Sequence, residues 1–288
     1  MQYGVSAPAI DEYADPRVLA ELARDAEQAG WDGFFVWDHI LYDNQWMPPV
    51  ADPWITLAAV AANTERIRLG TLVAAVPRRR PWVLAREAAT LDRLSNGRLT
   101  MGVGAGYPPD ADFSQFGENP DHEVRTEKLD EGLEILAGLW TGEPFQFHGK
   151  HNHIQETIFR PTPVQSPRIP IWVAGVWPHR EAFVRAARWD GVCTIKVGGP
   201  DSAHQAVELI SPDDLRSMTD FVQEHRQDDS PFDVVLGGWT PGDSTRRAAE
   251  FVAPYAEAGL TWWIETVGPW RGSRAQLWKR IGQGPPRL

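Results

Sequence analysis

Apolar residues recur along this chain in two alternating patterns, which are short continuous runs and longer segments with a helical period. Between Pro16 and Gly30 the apolar positions follow the period of an amphipathic helix, at Leu19, Leu22, Ala23 and Ala26. The run 34–37 follows almost at once, bounded by Gly33, and is typical of a strand that is buried on both faces. The chain therefore opens with a helix, a glycine turn and a buried strand.

The same alternation continues along the whole chain. The predicted strands cover residues 3–7, 34–37, 67–73, 98–103, 171–174, 191–195, 232–236 and 261–265. The predicted helices begin near residues 16 and 53 and then cover 81–94, 122–140, 180–187, 212–226, 245–258 and 273–280. Eight such units favour a closed (β/α)8 TIM barrel over a doubly wound sheet, in one domain of residues 1–288. We then expect these strand-end residues at one end of the barrel: Trp37, Val73, Gly104, Ala174, Ile195 and Glu265.

Residues 141–170 interrupt the alternation and are predicted to be an insertion. A hairpin is expected at 145–154, and prolines then hold the chain extended, at Pro161, Pro163, Pro167 and Pro170. Three histidines of the hairpin, His148, His151 and His153, raise the question of a metal site. Strand alternation puts only the last two on one face, without an H-E-x-x-H motif or an acidic partner. We therefore predict no metal, and a metal-dependent TIM-barrel hydrolase becomes the weaker alternative.

Composition narrows the kinds of binding partner and the cellular location that we expect for this protein. The formal net charge of −11 argues against nucleic-acid and anionic-membrane partners, because phosphate binding needs a basic face. Cys193 is the single cysteine, so no internal disulfide can form. The first residues show no signal-peptide pattern, and no apolar run approaches about 18 residues. We expect a cytoplasmic protein without a membrane span, in which some of the 14 tryptophans line an aromatic pocket.

Asp38 and His39 follow directly after the buried run 34–37. Parallel α/β folds place their chemistry at the carboxyl ends of strands, which is where this pair falls. An imidazole can exchange a proton near neutral pH, and Asp38 would orient it. The pair is the candidate catalytic group, and an ordinary solvated loop pair is the alternative.

Six short motifs occur in an order that is more specific than any one of them. They are Ala-Gly-Trp-Asp-Gly at 29–33, Trp-Asp-His at 37–39, Ile-Arg-Leu-Gly-Thr at 67–71, Leu-Asp-Arg-Leu-Ser-Asn-Gly-Arg at 91–98, Gly-Val-Gly-Ala-Gly at 102–106 and Phe-His-Gly-Lys-His at 147–151. Together they resemble the bacterial luciferase-like superfamily of flavin- and deazaflavin-dependent oxidoreductases. The resemblance implies a TIM barrel with the cofactor ring at its carboxyl mouth, and a homodimer. It also implies either monooxygenation with FMN or hydride transfer with coenzyme F420, on a small organic substrate.

The resemblance assigns residues to the cofactor ring. It implies that His39 faces the ring and that Leu72-Val73 aligns with a non-prolyl cis peptide behind the ring. The glycines at 102–106 are spaced G-x-G-x-G, which differs from the dinucleotide fingerprint G-x-G-x-x-G. Their backbone is expected to approach the ring or the ribityl chain closely, with plain turn chemistry as the alternative. The cofactor-binding residues expected here are Gly104, Ala105 and Gly106.

A phosphate seat is expected at the next strand end. A helix predicted to start near Pro178 would present free backbone N–H groups to the cofactor phosphate. The residues expected at this seat are Ala174, Gly175, Val176, Trp177 and Thr194. Lys196 would reach the same phosphate or the substrate. The basic run 78–80 is either a solvated loop or a second site for a phosphate or an acidic cofactor tail.

The sequence does not specify the substrate. Tyr107 stands where some sugar-phosphate dehydrogenases of the superfamily carry an acid, so we do not expect the same substrate. The loops 38–52, 104–121, 141–170 and 237–243 suggest an apolar, aromatic pocket. Its candidate residues are Trp37, Trp46, Tyr107 and Lys196. A deazaflavin passes hydride and reacts poorly with oxygen, whereas reduced FMN supports monooxygenation. The sequence favours coenzyme F420, with FMN or a non-catalytic flavin-binding barrel as alternatives.

Overall fold

The computed structural model describes residues 1–43, 45–197, 207–242 and 244–288, with the backbone alone at 196–197 and 207–208. In chain order its strands are β1 (Gln2–Ala7), β2 (Gly33–Val36), β3 (Arg68–Ala75), β4 (Leu99–Gly104), β5 (Phe145–His148), β6 (His153–Thr157), β7 (Ile171–Val176), β8 (Gly191–Val197), β9 (Val207–Glu208), β10 (Asp233–Gly238) and β11 (Trp262–Thr266). Strands β5 and β6 form a separate antiparallel hairpin, and β9 pairs antiparallel with β8. The other eight strands are parallel and close into a barrel.

The ends of the chain meet in the barrel wall. Strand β1 pairs with both β2 and β11, so that Gly4 lies opposite Gly33 on one side and Ile264 on the other. Strand β10 pairs with both β8 and β11, which closes the sheet. The predicted TIM barrel is therefore confirmed, and every barrel strand ends at the same mouth.

Helices cover the outside of the barrel, except for the short α4 (Pro109–Asp112), which lies in a loop at the mouth. They are α1 (Pro16–Gln28), α2 (Pro53–Asn63), α3 (Pro81–Leu94), α4 (Pro109–Asp112), α5 (His122–Trp140), α6 (Glu181–Ala186), α7 (Pro212–His225), α8 (Thr245–Glu257) and α9 (Arg274–Gly282). Aspartates cap three of them, because the side chains of Asp15, Asp52 and Asp121 each accept a hydrogen bond from an N–H of the first turn. Among the described helices, none is long and apolar enough to cross a membrane.

Three aromatic rings fill the barrel interior. The ring centroids of Phe35 and Trp172 lie 5.3 Å apart, as do those of Trp172 and Trp262, and all three side chains are buried. Glycines of β2 and β8 leave the space for these rings, because a Cβ at Gly33 would lie 2.7 Å from the Phe35 ring. A Cβ at Gly191 would lie 2.5 Å from the Trp172 ring. The interior is therefore a packed core that closes the barrel below the mouth.

Most predicted elements are confirmed, and α3 and α5 have the predicted bounds. The strand ends are less accurate, since β2 ends at Val36 while β3 continues to Ala75 through an irregular register between Thr71 and Ala74. Helix α4 occupies part of the segment that was predicted as loop. The six strand-end residues lie at one end as predicted, although the carboxylate of Glu265 is buried and bonded to Arg271 at 2.8 Å.

Candidate functional site

The imidazole of His39 is fixed by a carboxylate from another loop. His39 lies three residues beyond β2, and its Nδ1 is 2.8 Å from Oδ2 of Asp112, the last residue of α4. The other oxygen of Asp112 accepts hydrogen bonds from the backbone N–H groups of Ile40 (2.9 Å) and Leu41 (3.2 Å). The Asp112 side chain is 1% exposed and that of His39 is 14% exposed. One buried carboxylate therefore holds both the imidazole and the loop that carries it.

Electrostatics decide which nitrogen of His39 carries the hydrogen. Burial raises the pKa of the Asp112 carboxyl, but the His39 hydrogen bond and the charges of His39 and Arg78 outweigh it and hold that pKa below its usual range. An ionised carboxylate can only accept hydrogen bonds, so Nδ1 of His39 is the donor. In the neutral ring, Nε2 is then the nitrogen that can accept a proton.

The prediction that Asp38 orients His39 is wrong. Asp38 and His39 lie beyond the end of β2, and the carboxylate of Asp38 is buried against the loop after β3. It accepts hydrogen bonds from Arg78 and from Arg79, whose Nη2 lies 2.9 Å away, and from the N–H of Ala75 at 3.2 Å. The basic run is therefore not a solvated loop, because two of its three guanidinium groups are buried in ion pairs.

Arg78 joins the two carboxylates. Its Nη2 bonds to Asp38, and its Nη1 lies 3.0 Å from Oδ2 of Asp112, as an ion-pair contact without hydrogen-bond geometry. The charges of Arg78 and Arg79 balance those of the two aspartates, which makes a buried group of four charges tolerable. Sequence reasoning missed Asp112, because a four-residue helix inside a proline-rich loop gives no periodic signal.

Apolar residues form a floor at the same end of the barrel as His39. Leu72, Val73 and Ala174 pack on the inner barrel core at its mouth. The Leu72-Val73 peptide bond is cis, as the resemblance implied. A Cβ added to Gly104 would lie 3.2 Å from Val73 Cγ2 and 3.3 Å from Ala174 Cβ. Any larger residue at position 104 would therefore crowd both side chains. We call these four residues the apolar floor; Leu72, Val73 and Gly104 were expected at the cofactor ring, and Ala174 at the phosphate seat.

Arg125, a buried arginine, holds the glycine-rich segment 102–106 in place. Arg125 of α5 donates to the carbonyl oxygen of Ala105 at 2.9 Å and to that of Gly106. Gly106 has a φ of +86°, a conformation that L side chains rarely adopt, and an added Cβ would meet the Phe113 ring at 2.7 Å. The segment is therefore rigid, and Arg125 is a supporting residue that the sequence reading missed.

The expected phosphate seat has a different geometry from the prediction. Helix α6 begins at Glu181, and the N–H groups of Trp177 and His179 donate to the carbonyl oxygens of Ile195 (3.2 Å) and Val176 (2.9 Å). These donors are therefore already used within the chain. Gly175 faces the buried ring of Phe183, 2.9 Å from an added Cβ, so its glycine serves packing. A cofactor role for residues 174–177 stays a prediction.

Thr194 and Lys196 also stay predictions. Cys193 faces the inner core, where burial raises the pKa of its thiol to about 12, and strand alternation turns Thr194 to the opposite face of β8. The Thr194 side chain is buried there. The side chain of Lys196 and residues 44 and 243 of the pocket loops lie outside the described residues.

Aromatic side chains surround the mouth. The predicted pocket residues Trp46 and Tyr107 are exposed, and Trp37 donates its indole N–H to Ser6 Oγ at 3.0 Å. Three further rings were missed by the sequence reading, and they are Tyr42, Trp239 and Trp270. Each of them lies in a loop that follows a barrel strand, which is the signal that could have found them.

The histidine hairpin differs in detail from the prediction. His148 and His153 are cross-strand neighbours, with ring centroids 6.0 Å apart, whereas His151 lies in the turn. His151 Nε2 is 2.7 Å from Oε2 of Glu127, so the prediction that no acid accompanies these residues is wrong. Within the described residues, no group of three or more His, Cys, Asp or Glu side chains could hold a metal ion.

The fold and the site define a TIM-barrel enzyme architecture, with a positioned imidazole beside an apolar floor at the carboxyl mouth. The family model for the luciferase-like monooxygenases matches residues 1–261, and the chain belongs to this family of oxidoreductases. An F420-dependent glucose-6-phosphate dehydrogenase of Gordonia bronchialis is 30% identical over 214 residues. The matched stretch spans 73% of this chain and 62% of that dehydrogenase, less than two thirds of its length.

Solved structures show the same fold. An F420-dependent secondary alcohol dehydrogenase in complex with an F420-acetone adduct has a TM-score of 0.77 at 18% identity, over 98% of this chain and 97% of that chain. The oxygenating constituent of 3,6-diketocamphane monooxygenase of Pseudomonas putida, in complex with FMN, has a TM-score of 0.75 at 15% identity. That match covers 98% of this chain and 96% of the other. The fold is thus common to deazaflavin- and flavin-binding barrels.

Proposed function

We propose that this protein is a coenzyme F420-dependent oxidoreductase that transfers hydride to or from a small organic substrate at the carboxyl mouth of the barrel. The position of His39 is the observation that supports this proposal most. Its imidazole is held by the buried carboxylate of Asp112 at the same end of the barrel as the apolar floor. The relative from Gordonia bronchialis, which is named as F420-dependent, supports the deazaflavin. FMN-dependent monooxygenation is the alternative.

The residues present fit a flat ring. A Cβ at Gly104 would lie within 3.3 Å of the side chains of Val73 and Ala174, so only glycine leaves these two side chains undisturbed beneath a ring. We propose that Val73, Gly104 and Ala174 support the ring and that Arg125 keeps the adjoining glycine segment from moving away. When bound, a deazaflavin supplies hydride transfer, whereas reduced FMN supplies reaction with oxygen.

The chain's own contribution is the movement of one proton. Asp112 holds Nδ1 of His39 as a donor, so Nε2 can take a proton from a substrate hydroxyl or return it to a carbonyl. The pair of Arg78 and Asp112 stays ionised beside it and fixes the position of the ring. Positioning of this kind is the part of catalysis that a rigid barrel end can provide.

The cofactor is tested by incubating the protein separately with coenzyme F420 and with FMN, removing unbound cofactor by gel filtration, and recording the absorption spectrum. We expect coenzyme F420 to remain with the protein at about one per chain, as for one preformed pocket per barrel. Retention of FMN instead would favour the monooxygenase. Retention of neither cofactor would contradict both activities and would favour a barrel that catalyses no reaction.

A glycine variant tests where the cofactor lies. Gly104→Ala should weaken cofactor binding by about 3- to 10-fold, because the added methyl group crowds Val73 and Ala174 and disturbs the surface on which the ring rests. Gly282→Ala is the matched control, since a Cβ at Gly282 meets nothing within 4 Å. Equal cofactor affinity in the two variants would remove the apolar floor from the site.

A further inference from the structure

Four aromatic side chains form a continuous surface beside His39, which we call the aromatic wall: Trp37, Tyr42, Trp46 and Trp270. The rings of Trp37 and Trp270 are stacked, with centroids 5.3 Å apart and planes 25° apart. Tyr42 meets Trp46 edge to face at 6.0 Å and meets the His39 ring at 5.1 Å. The wall therefore brings two loops together and ends on the imidazole.

Contacts with neighbouring residues hold Trp37 and Trp270 of the aromatic wall in place. The indole N–H of Trp37 is already donated to Ser6 Oγ, so this residue offers its π faces rather than a hydrogen bond. The ring of Trp270 lies against the backbone at Gly268, where an added Cβ would come within 2.5 Å of it. Even so, Trp270 is 45% exposed. The ring of Trp270 is thus held in place by Trp37 and Gly268 while nearly half of the residue stays accessible to a ligand.

The chemistry of the wall is uncharged. Burial and the nearby charge of Asp43 raise the pKa of Tyr42, so its phenol stays neutral at physiological pH. The carboxylate of Asp43 accepts hydrogen bonds from the backbone N–H groups of Gln45 and Trp46, and Asp112 and Arg78 are buried and paired with each other. A charged sugar phosphate would gain little from such a surface, whereas a planar aromatic molecule would gain contact area and ring stacking.

We propose that the aromatic wall binds a planar, uncharged aromatic substrate next to His39, with Trp270 as the residue that selects planarity. The proposal rests on the proposed function, because it takes the wall as the substrate side of the same mouth. It gives Tyr42 the second role of a neutral hydroxyl donor close to the imidazole.

The test compares two probes of one carbon skeleton. The full chain is titrated by calorimetry with 2-naphthol, which is planar, and with 2-decalol, which is saturated and puckered. We expect 2-naphthol to bind at least about tenfold more tightly, because only it can stack. Trp270→Ala should weaken 2-naphthol binding by about 5- to 100-fold, the range for loss of one stacked ring. Trp270→Phe should keep it within about threefold of the wild type.

Trp82→Ala is the matched control, because Trp82 is 40% exposed but lies on α3, outside the wall. Equal binding of the two probes, or equal binding of 2-naphthol to Trp270→Ala and to the wild type, would overturn the proposal. Displacement of bound cofactor by 2-naphthol would overturn it too, since the wall would then belong to the cofactor ring. Stacking-dependent 2-naphthol binding by a protein that retains neither cofactor would support the aromatic site while contradicting the proposed function.

Discussion

At the scale of single residues, the position of His39 followed from the sequence and its partner did not. His39 lies three residues beyond a buried strand, so the barrel sets the end at which it stands, while Asp112 holds the loop that carries it. The neighbour in sequence, Asp38, binds Arg78 and Arg79 instead. The actual partner, Asp112, is 73 residues distant and belongs to a helix of four residues. Side-chain partners set by loop geometry are beyond what periodicity can show.

His39→Asn tests the proton-exchange role separately from structure. The asparagine amide can replace Nδ1 as a donor to Asp112, but it offers no titratable nitrogen in place of Nε2. We expect a nearly unchanged melting temperature and a turnover reduced by about 10²- to 10⁴-fold, measured with any substrate that the protein turns over. Turnover at the wild-type rate would show that the imidazole takes no part in the reaction.

Asp112→Asn should change stability in a pH-dependent way. The pKa of Asp112 is lowered on folding from its ordinary value of 3.8, so ionised Asp112 stabilises the folded state above that value. This contribution is lost as the pH falls from about 3.8 through the folded pKa. The variant should therefore melt below the wild type at pH 6 to 7, and the gap should narrow in acid.

The control for this pH dependence is Asp110→Asn, an exposed carboxylate in the same short helix α4. Its melting temperature should follow that of the wild type at every pH, because an exposed charge contributes little. A gap for Asp112→Asn that stays constant from neutral to acid pH would contradict the assignment of an ionised carboxylate beside His39.

At the scale of elements, side chains tie the insertion to the barrel helices. Asp92 of α3 is fully buried and accepts hydrogen bonds from the backbone N–H groups of Val164 (2.7 Å) and Gln165 (3.1 Å). The Gln165 side chain donates to the same carboxylate at 2.7 Å. The proline-rich segment after the hairpin is therefore held by one acid, although the sequence showed only that it is extended.

Asp92→Ala should lower the free energy of unfolding by about 2 to 4 kcal/mol, because it leaves two part-buried backbone donors and the Gln165 side chain without their acceptor. Denaturant titration measures this loss. Asp130→Ala is the comparison, since Asp130 pairs with Arg185 at 2.9 Å but is 38% exposed. We expect a loss of about 1 kcal/mol or less there. Similar losses in both variants would show that the Asp92 contacts contribute no more than a surface pair.

At the scale of the whole molecule, alternation of apolar runs and amphipathic segments was enough to predict the barrel, because each strand must be buried on both faces. The apolar floor could also be predicted, since strand ends of a parallel barrel share one face. The aromatic wall could be predicted only in part, because Trp37 adjoins a strand while Trp270 lies in a distant loop. The homodimer implied by the resemblance stays a prediction.

The central claim is that a deazaflavin or flavin ring rests on the apolar floor within reach of His39. A crystal structure of the protein with the cofactor that it retains tests this most directly. We expect the ring in contact with Val73, Gly104 and Ala174, with Nε2 of His39 turned towards the ring or towards a substrate above it. A ring bound away from the apolar floor, with the His39 imidazole outside the pocket, would show that this placement is wrong.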